Sequence, residues 1–167
     1  MVELVPDPVH PAVVHFPIAA VVTAWMLDLL ALGSRLKVLR PGATAVWILA
    51  AVTAALAYLT GNAAHAAAVL PPEAVALAER HAFLAWWSLT ATAALAVTRV
   101  VVLWQGRFRG GVRVIWLLMA GGVVLLVVLA ARAGGQLVFD HGVGTAPVQQ
   151  RRMAPVDTSF GEHPGSL

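Results

Sequence analysis

The chain has 167 residues, of which 60% are hydrophobic and only 11% charged, and its formal net charge at pH 7 is +3. This composition and a mean hydropathy of +0.83 exclude an ordinary soluble domain, and the isoelectric point is about 10.6. The sequence contains no cysteine, which excludes disulfides, iron–sulfur clusters, thiolate metal sites and covalently attached c-type haem.

Four stretches are long and apolar enough to cross a membrane, since a spanning helix needs about 20 apolar residues. They are residues 13–32, 43–64, 82–103 and 114–131, and Asp28 and Arg99 are the only formal charges inside them. The first stretch lacks a basic region before it and is too long for a signal-peptide core, so we expect it to remain in the mature protein. The sequence predicts an all-α, integral membrane, antiparallel four-helix bundle over residues 13–141. External tails are expected at residues 1–12 and 142–167, the second of them flexible.

The basic residues predict the orientation. The loop after the first stretch carries Arg35, Lys37 and Arg40, and the loop after the third has a similar basic cluster without an acid. The positive-inside rule places both loops in the cytoplasm and both termini outside. We therefore expect a multi-pass protein of the bacterial inner membrane. Because topology and anionic headgroups explain these basic loops, nucleic acid is excluded as a partner.

Five of the six histidines fall at the predicted outer end of the bundle. They are His10, His15, His65, His81 and His141. The sixth, His163, lies in the tail and is expected to take no part in a site. Imidazoles gathered at one membrane face indicate a cofactor or metal site, although capping of helix ends and packing between helices remain structural alternatives.

Helical periodicity of about 100° per residue predicts which side chains share a face. In the third stretch His81, Ser88, Thr92 and Arg99 form a polar line, which we expect to face the bundle interior because lipid offers no hydrogen-bond partner. Small residues accompany His65 and His15 on their own faces. A transporter or channel would need such a polar path, and this line is its only candidate.

Asp28 and Arg99 are both expected toward the cytoplasmic end. An unpaired charge there costs about 2.5–3.5 kcal/mol on insertion scales, so we predict a structural ion pair between the first and third helices.

Two segments resemble a known family. Residues 10–17, HPAVVHFP, are similar to the H-P-x-x-V-H-F-P opening of the bacterial four-helix membrane family called domain of unknown function 2231, and residues 134–144, GGQLVFDHGVG, resemble its closing segment. His81 matches the histidine that opens the family's third helix. Relatives in which this membrane unit is fused to Rieske or c-type cytochrome modules imply a link with electron transfer.

Two kinds of site are compatible with the histidines. A b-type haem needs two imidazoles from different helices, and His15 with His81, or His65 with His141, could supply them. A non-haem metal ion, zinc, copper or iron, would instead take three or four of His10, His15, His65, His81 and His141, with a carboxylate from Glu79, Asp140 or Asp7. Spacing does not choose between these sites.

The sequence thus predicts a small electron-transfer subunit with haem b near the outer face. It would work with a larger redox complex and exchange electrons with quinone or a periplasmic carrier. The alternative is a non-enzymatic subunit that binds a metal ion or only anchors a membrane complex. No catalytic residue is predicted, and an accessory role is favoured over that of a stand-alone enzyme.

Overall fold

The computed structural model describes residues 9–33, 35–36 and 38–145. The short helix α1 (His10–Val13) leads into α2 (His15–Gly33), which is followed by α3 (Leu39–Ala67), α4 (Val75–Trp104) and α5 (Gly110–Phe139). A 3₁₀ turn, Pro72–Ala74, precedes α4. The fold is all-α, and α2 to α5 form an antiparallel four-helix bundle, as the sequence predicts.

The four long helices pack in a ring. Each contacts its neighbours in the order α2, α3, α4, α5 and back to α2, while α1 packs against α3 and α2. Small side chains fill the contacts, with Ala24, Ala50 and Ala120 fully buried. Because the hydrophobic effect does not drive helices together in lipid, small residues stabilise a membrane bundle by letting the helix backbones approach closely.

Four helical segments are long and apolar enough to cross a membrane. They are His10–Gly33, Leu39–Ala67, Pro72–Trp104 and Gly110–Phe139. Most large apolar side chains on their outer surfaces are exposed, Leu59, Leu118 and Phe83 among them, which is the expected pattern where lipid replaces water.

The helices extend beyond the predicted spans at several ends. The largest extension is in α5, which continues to Phe139, eight residues past the apolar stretch that ends at residue 131 and within the bundle predicted over residues 13–141. The apolar stretch ends there because Arg132 follows it. The helix continues because a long arginine side chain near a span end can reach the interface.

The two ends of the bundle differ in their side chains. We call the end that contains the start of α2 and the end of α5 the histidine end, and the other the arginine end.

The predicted flexible tail falls mostly on residues 146–167, which lie outside the described part of the chain. Residues 1–8 and His163 lie outside it as well.

Candidate functional site

The histidine end brings two imidazoles face to edge between the helices. The rings of His10, in α1, and His81, in α4, have centroids 6.4 Å apart and planes inclined at 69°. Both side chains are half-buried. α1 positions His10 because Pro11 at its first turn favours a helical start and because α1 packs against α3.

Hydrogen bonds fix the tautomer of His81. Its Nδ1 lies 2.9 Å from the carbonyl oxygen of Ala130 in α5. A carbonyl oxygen can only accept, so Nδ1 carries the proton and donates. In the neutral ring the lone pair is therefore on Nε2.

His10 is held in the same tautomer by a hydroxyl group. Its Nδ1 lies 3.2 Å from Oγ1 of Thr60. The single hydroxyl proton of Thr60 is directed to the helix carbonyls, since Oγ1 is 3.0 Å from the carbonyl oxygens of both Leu56 and Ala57. Oγ1 is thus left to accept from Nδ1–H, and Nε2 of His10 also keeps its lone pair. An oriented Nδ1 donor with a free Nε2 is the arrangement of metal-ligating histidines.

A glycine of a neighbouring helix lies against the Cε1 edge of each of the two rings. A Cβ on Gly61 in α3 would lie 2.8 Å from Cε1 of His10, and one on Gly134 in α5 would lie 2.9 Å from Cε1 of His81. Any side chain at either position would displace the imidazole. The cluster therefore draws on all the helices except α2. We call His10, His81, Thr60, Gly61 and Gly134 the imidazole cluster.

The remaining histidines lie apart from this pair. His15 and His65 are exposed and His141 is half-buried; His65 is within electrostatic range of His81. Among the described residues, the His15 side chain has no hydrogen bond, ion pair or ring contact. The sequence paired His15 with His81, whereas the structure brings His10 to His81. Val14 has helical φ and ψ of −61° and −24°, so His10 and His15, five residues apart, point about 140° away from each other. Only one of the two can therefore face His81.

The predicted metal ligands do not form one cluster in the described part of the chain. Within residues 9–33, 35–36 and 38–145, no group of three or more His, Cys, Asp or Glu side chains is arranged to hold a metal ion. The five histidines predicted as metal ligands are thus not brought together as one set there.

The closing segment of α5 folds back over the histidine end. Gly142 and Gly144 have φ of 63° and 78°, and this reversal lets the Val143 amide donate to the Leu137 carbonyl at 2.9 Å. Val143 then packs on the small apolar cluster formed by Ala74, Ala78 and Leu137. The glycines of this segment therefore serve two purposes, since Gly134 admits an imidazole and Gly142 permits the turn.

A second polar cluster lies buried toward the arginine end. The guanidinium of Arg99 contacts both carboxylate oxygens of Asp28, at 2.7 Å each, and the two side chains are 0% and 3% exposed. This is the ion pair expected from the sequence. Trp47 and Trp116 donate their indole N–H groups to Oδ2 of Asp28 at 3.0 and 3.1 Å. One carboxylate thus receives donors from α3, α4 and α5.

The rest of the Arg99 guanidinium is also satisfied. Nε donates to Oγ1 of Thr44 at 3.2 Å and Nη2 to the carbonyl oxygen of Arg40 at 3.4 Å. The ring of Phe108 lies 4.4 Å from Cζ of Arg99, a favourable cation–π distance. Because removing either partner of this pair would leave the other charge buried and uncompensated, we assign this cluster a structural role.

The predicted polar line of α4 faces inward. Ser88, Thr92 and Arg99 are all buried, as the periodicity predicts. Thr92 donates to the carbonyl oxygen of Ser88 at 2.6 Å, and Arg99 is held by Asp28. The hydroxyl of Thr92 and the guanidinium are therefore engaged within the bundle.

Sequence reasoning missed Thr60, Gly61 and Gly134 as partners of the imidazoles, and Trp47 and Trp116 as partners of Asp28. A glycine pair in the closing motif was visible, but which helix faces a glycine depends on how the helices pack. The indole donors carried a weak signal, because a buried tryptophan N–H usually finds an acceptor.

Comparison with known proteins agrees with the motifs and the fold. The family described as "Predicted membrane protein (DUF2231)" matches residues 6–147. The chain belongs to this family. The match covers both signature segments and all four long helices, so this DUF2231 member is a multi-pass membrane protein. Neither the comparison with curated proteins nor that with solved structures gives a match.

Proposed function

We propose that this protein is a small membrane electron-transfer subunit that binds a b-type haem at the histidine end through His10 and His81. The observation that carries the proposal is the imidazole pair itself. The two imidazoles come from different helices, and their ring centroids lie 6.4 Å apart, which supports their acting as a pair of nitrogen ligands.

The donor chemistry of the pair supports this proposal. His10 and His81 would hold the haem iron through Nε2, the imidazole nitrogen that keeps its lone pair in both rings. The Ala130 carbonyl and the Thr60 hydroxyl hold the opposite nitrogens, which raises ligand basicity and limits ring rotation. When bound, such a haem supplies one-electron transfer at this membrane face.

The partners follow from the location of the cluster. A group at the end of the bundle can exchange electrons with quinone at the interface or with a soluble carrier on the same side. On the orientation predicted by the basic loops, that side is outside the cytoplasmic membrane. The bundle would then serve as one subunit of a larger redox complex.

The test is a dithionite-reduced minus oxidised absorption spectrum of the purified full chain. We expect a sharp alpha band that His10→Ala and His81→Ala each abolish, and that the control His15→Ala retains. An alpha band that is lost in His15→Ala but kept in His10→Ala would identify His15, and not His10, as the ligand. A featureless spectrum of the native protein would refute haem binding, and metal analysis of the same sample would then test the zinc, copper and iron alternatives.

A further inference from the structure

A cavity near the histidine end is lined by two arginines and an amide. Its volume is about 300 Å³, and its lining consists of Arg80 from α4 and Leu129, Arg132, Ala133 and Gln136 from α5. It is a separate feature from the imidazole cluster, because none of the cluster's residues lines it.

The two arginines have no counter-ion in the described part of the chain. The one ion pair found there joins Arg99 to Asp28, and neither Arg80 nor Arg132 has a hydrogen bond or ion pair with another described residue. Arg80 follows Glu79 directly in α4, but a residue one position along a helix points about 100° away. Two arginines therefore line one small cavity, and no carboxylate of a described residue is paired with either of them.

The positions of the two arginines in their helices place lipid phosphates within reach of their long side chains. α4 and α5 have 30 residues each, or about 45 Å at 1.5 Å per residue, whereas the hydrocarbon core is about 30 Å thick. Each helix therefore extends about 7 Å beyond the core at either end if it is centred. Arg80 is five residues from the start of α4 and Arg132 seven from the end of α5, which puts both near the boundary between hydrocarbon and headgroups.

We propose that Arg80, Arg132 and Gln136 bind the phosphate of an anionic phospholipid headgroup at this boundary. Guanidinium groups present paired N–H donors that match phosphate oxygens, and the Gln136 amide adds a neutral donor. The apolar side of the cavity, Leu129 and Ala133, suits the start of the acyl chains. The site is independent of haem binding.

The experiment measures lipid retention by the full chain in detergent. The purified protein is mixed with phosphatidylglycerol, with zwitterionic phosphatidylcholine, or with inorganic phosphate, and adducts are quantified by native mass spectrometry. We expect a phosphatidylglycerol adduct that Arg80→Gln and Arg132→Gln each weaken by about tenfold, the usual effect of losing one charge-assisted contact. Arg132→Lys should retain more of the adduct than Arg132→Gln.

The matched control is Arg109→Gln, which removes one exposed arginine of the basic loop at the arginine end and so measures the loss of general attraction to anionic headgroups outside the cavity. Equal loss in this control, or unchanged binding in both test variants, would overturn the proposal. Retention of inorganic phosphate in place of phosphatidylglycerol would overturn the proposal that the bound phosphate belongs to a lipid. If the arginine variants instead lose a haem band while lipid binding persists, the guanidinium groups belong to the haem site and the proposal fails.

Discussion

Asp28 and Arg99 show how a single carboxylate can organise a membrane bundle. The carboxylate accepts from one guanidinium and two indoles, so every donor aimed at it comes from another helix. Removing one partner of such a pair leaves a buried charge, and that loss usually exceeds the net stabilisation the intact pair provides.

We predict that Asp28→Asn destabilises the protein by about 3–5 kcal/mol, because it keeps the shape of the side chain but leaves Arg99 without a counter-ion. The measurement is the free energy of unfolding in mixed micelles. The control is Glu73→Gln, an exposed carboxylate, which should change that free energy by less than about 0.5 kcal/mol. Equal effects of the two substitutions would contradict a structural role for the pair.

The two adjacent glycines of the closing motif offer a sharper comparison. A Cβ at Gly134 would lie 2.9 Å from His81, whereas one at Gly135 would meet nothing within 4 Å. We predict that Gly134→Ala lowers the free energy of unfolding by about 1–3 kcal/mol through overpacking. Gly135→Ala should be neutral or stabilising by up to about 1 kcal/mol, since alanine favours a helix.

The readout for this pair of variants is thermal unfolding together with the reduced-minus-oxidised spectrum. If Gly134→Ala proves as stable as Gly135→Ala, the contact between the His81 ring and α5 is wrong. If both variants fold and only Gly134→Ala alters the spectrum, the ring position is tied to the proposed cofactor.

At the scale of single residues, the sequence predicted which side chains face the bundle interior better than it predicted which side chains contact one another. Periodicity alone placed Thr92 and Arg99 inside, because a polar side chain facing lipid is costly. It could not predict that His10 rather than His15 meets His81, since that depends on the packing of α1 against α3.

At the scale of elements, the end of α5 depends on a left-handed residue. Gly142 has a φ of 63°, and the turn it makes returns Val143 to the Leu137 carbonyl. We predict that Gly142→Ala costs about 1–2 kcal/mol, the usual penalty of this conformation for a residue with a Cβ. Faster hydrogen exchange of the Val143 amide would report the loss of the turn.

The control for this variant is Gly111→Ala, since Gly111 lies within α5 with open space around it and without a positive φ. Unchanged exchange at Val143 in Gly142→Ala would show that the turn does not require glycine.

Element boundaries were only partly predictable. Hydropathy located all four spans, because runs of about 20 apolar residues are rare outside membrane-spanning helices. It ended the last apolar stretch at residue 131, since hydropathy cannot distinguish a charge that ends a helix from one that lies at its interfacial turn. The cavity beside Arg132 was not predictable, because it depends on how α4 packs against α5.

At the scale of the whole molecule, orientation is open to a direct test. The chain contains no cysteine, so single-cysteine variants can be labelled without background. We predict that Asp140→Cys and Glu73→Cys, at the histidine end, react with a membrane-impermeant maleimide in intact cells. Gln105→Cys, in the arginine-end loop, should react only after permeabilisation. The reverse labelling pattern would show that the histidine end faces the cytoplasm.

The bundle architecture itself was predictable from composition, since a chain this apolar rarely forms a soluble domain. Its ring order was not, because four similar helices can pack in several arrangements that differ only in side-chain contacts.

The carboxylate shared by four helices also bears on how the protein is made. Asp28 enters the membrane with the first span, and Arg99 follows only with the third. During the interval Trp47 of the second span can donate to the carboxylate, but no described cation within the first two spans contacts it. The first helical hairpin therefore carries a carboxylate without its guanidinium partner until the third helix is in place, and we expect it to be less stable in the membrane than the complete bundle.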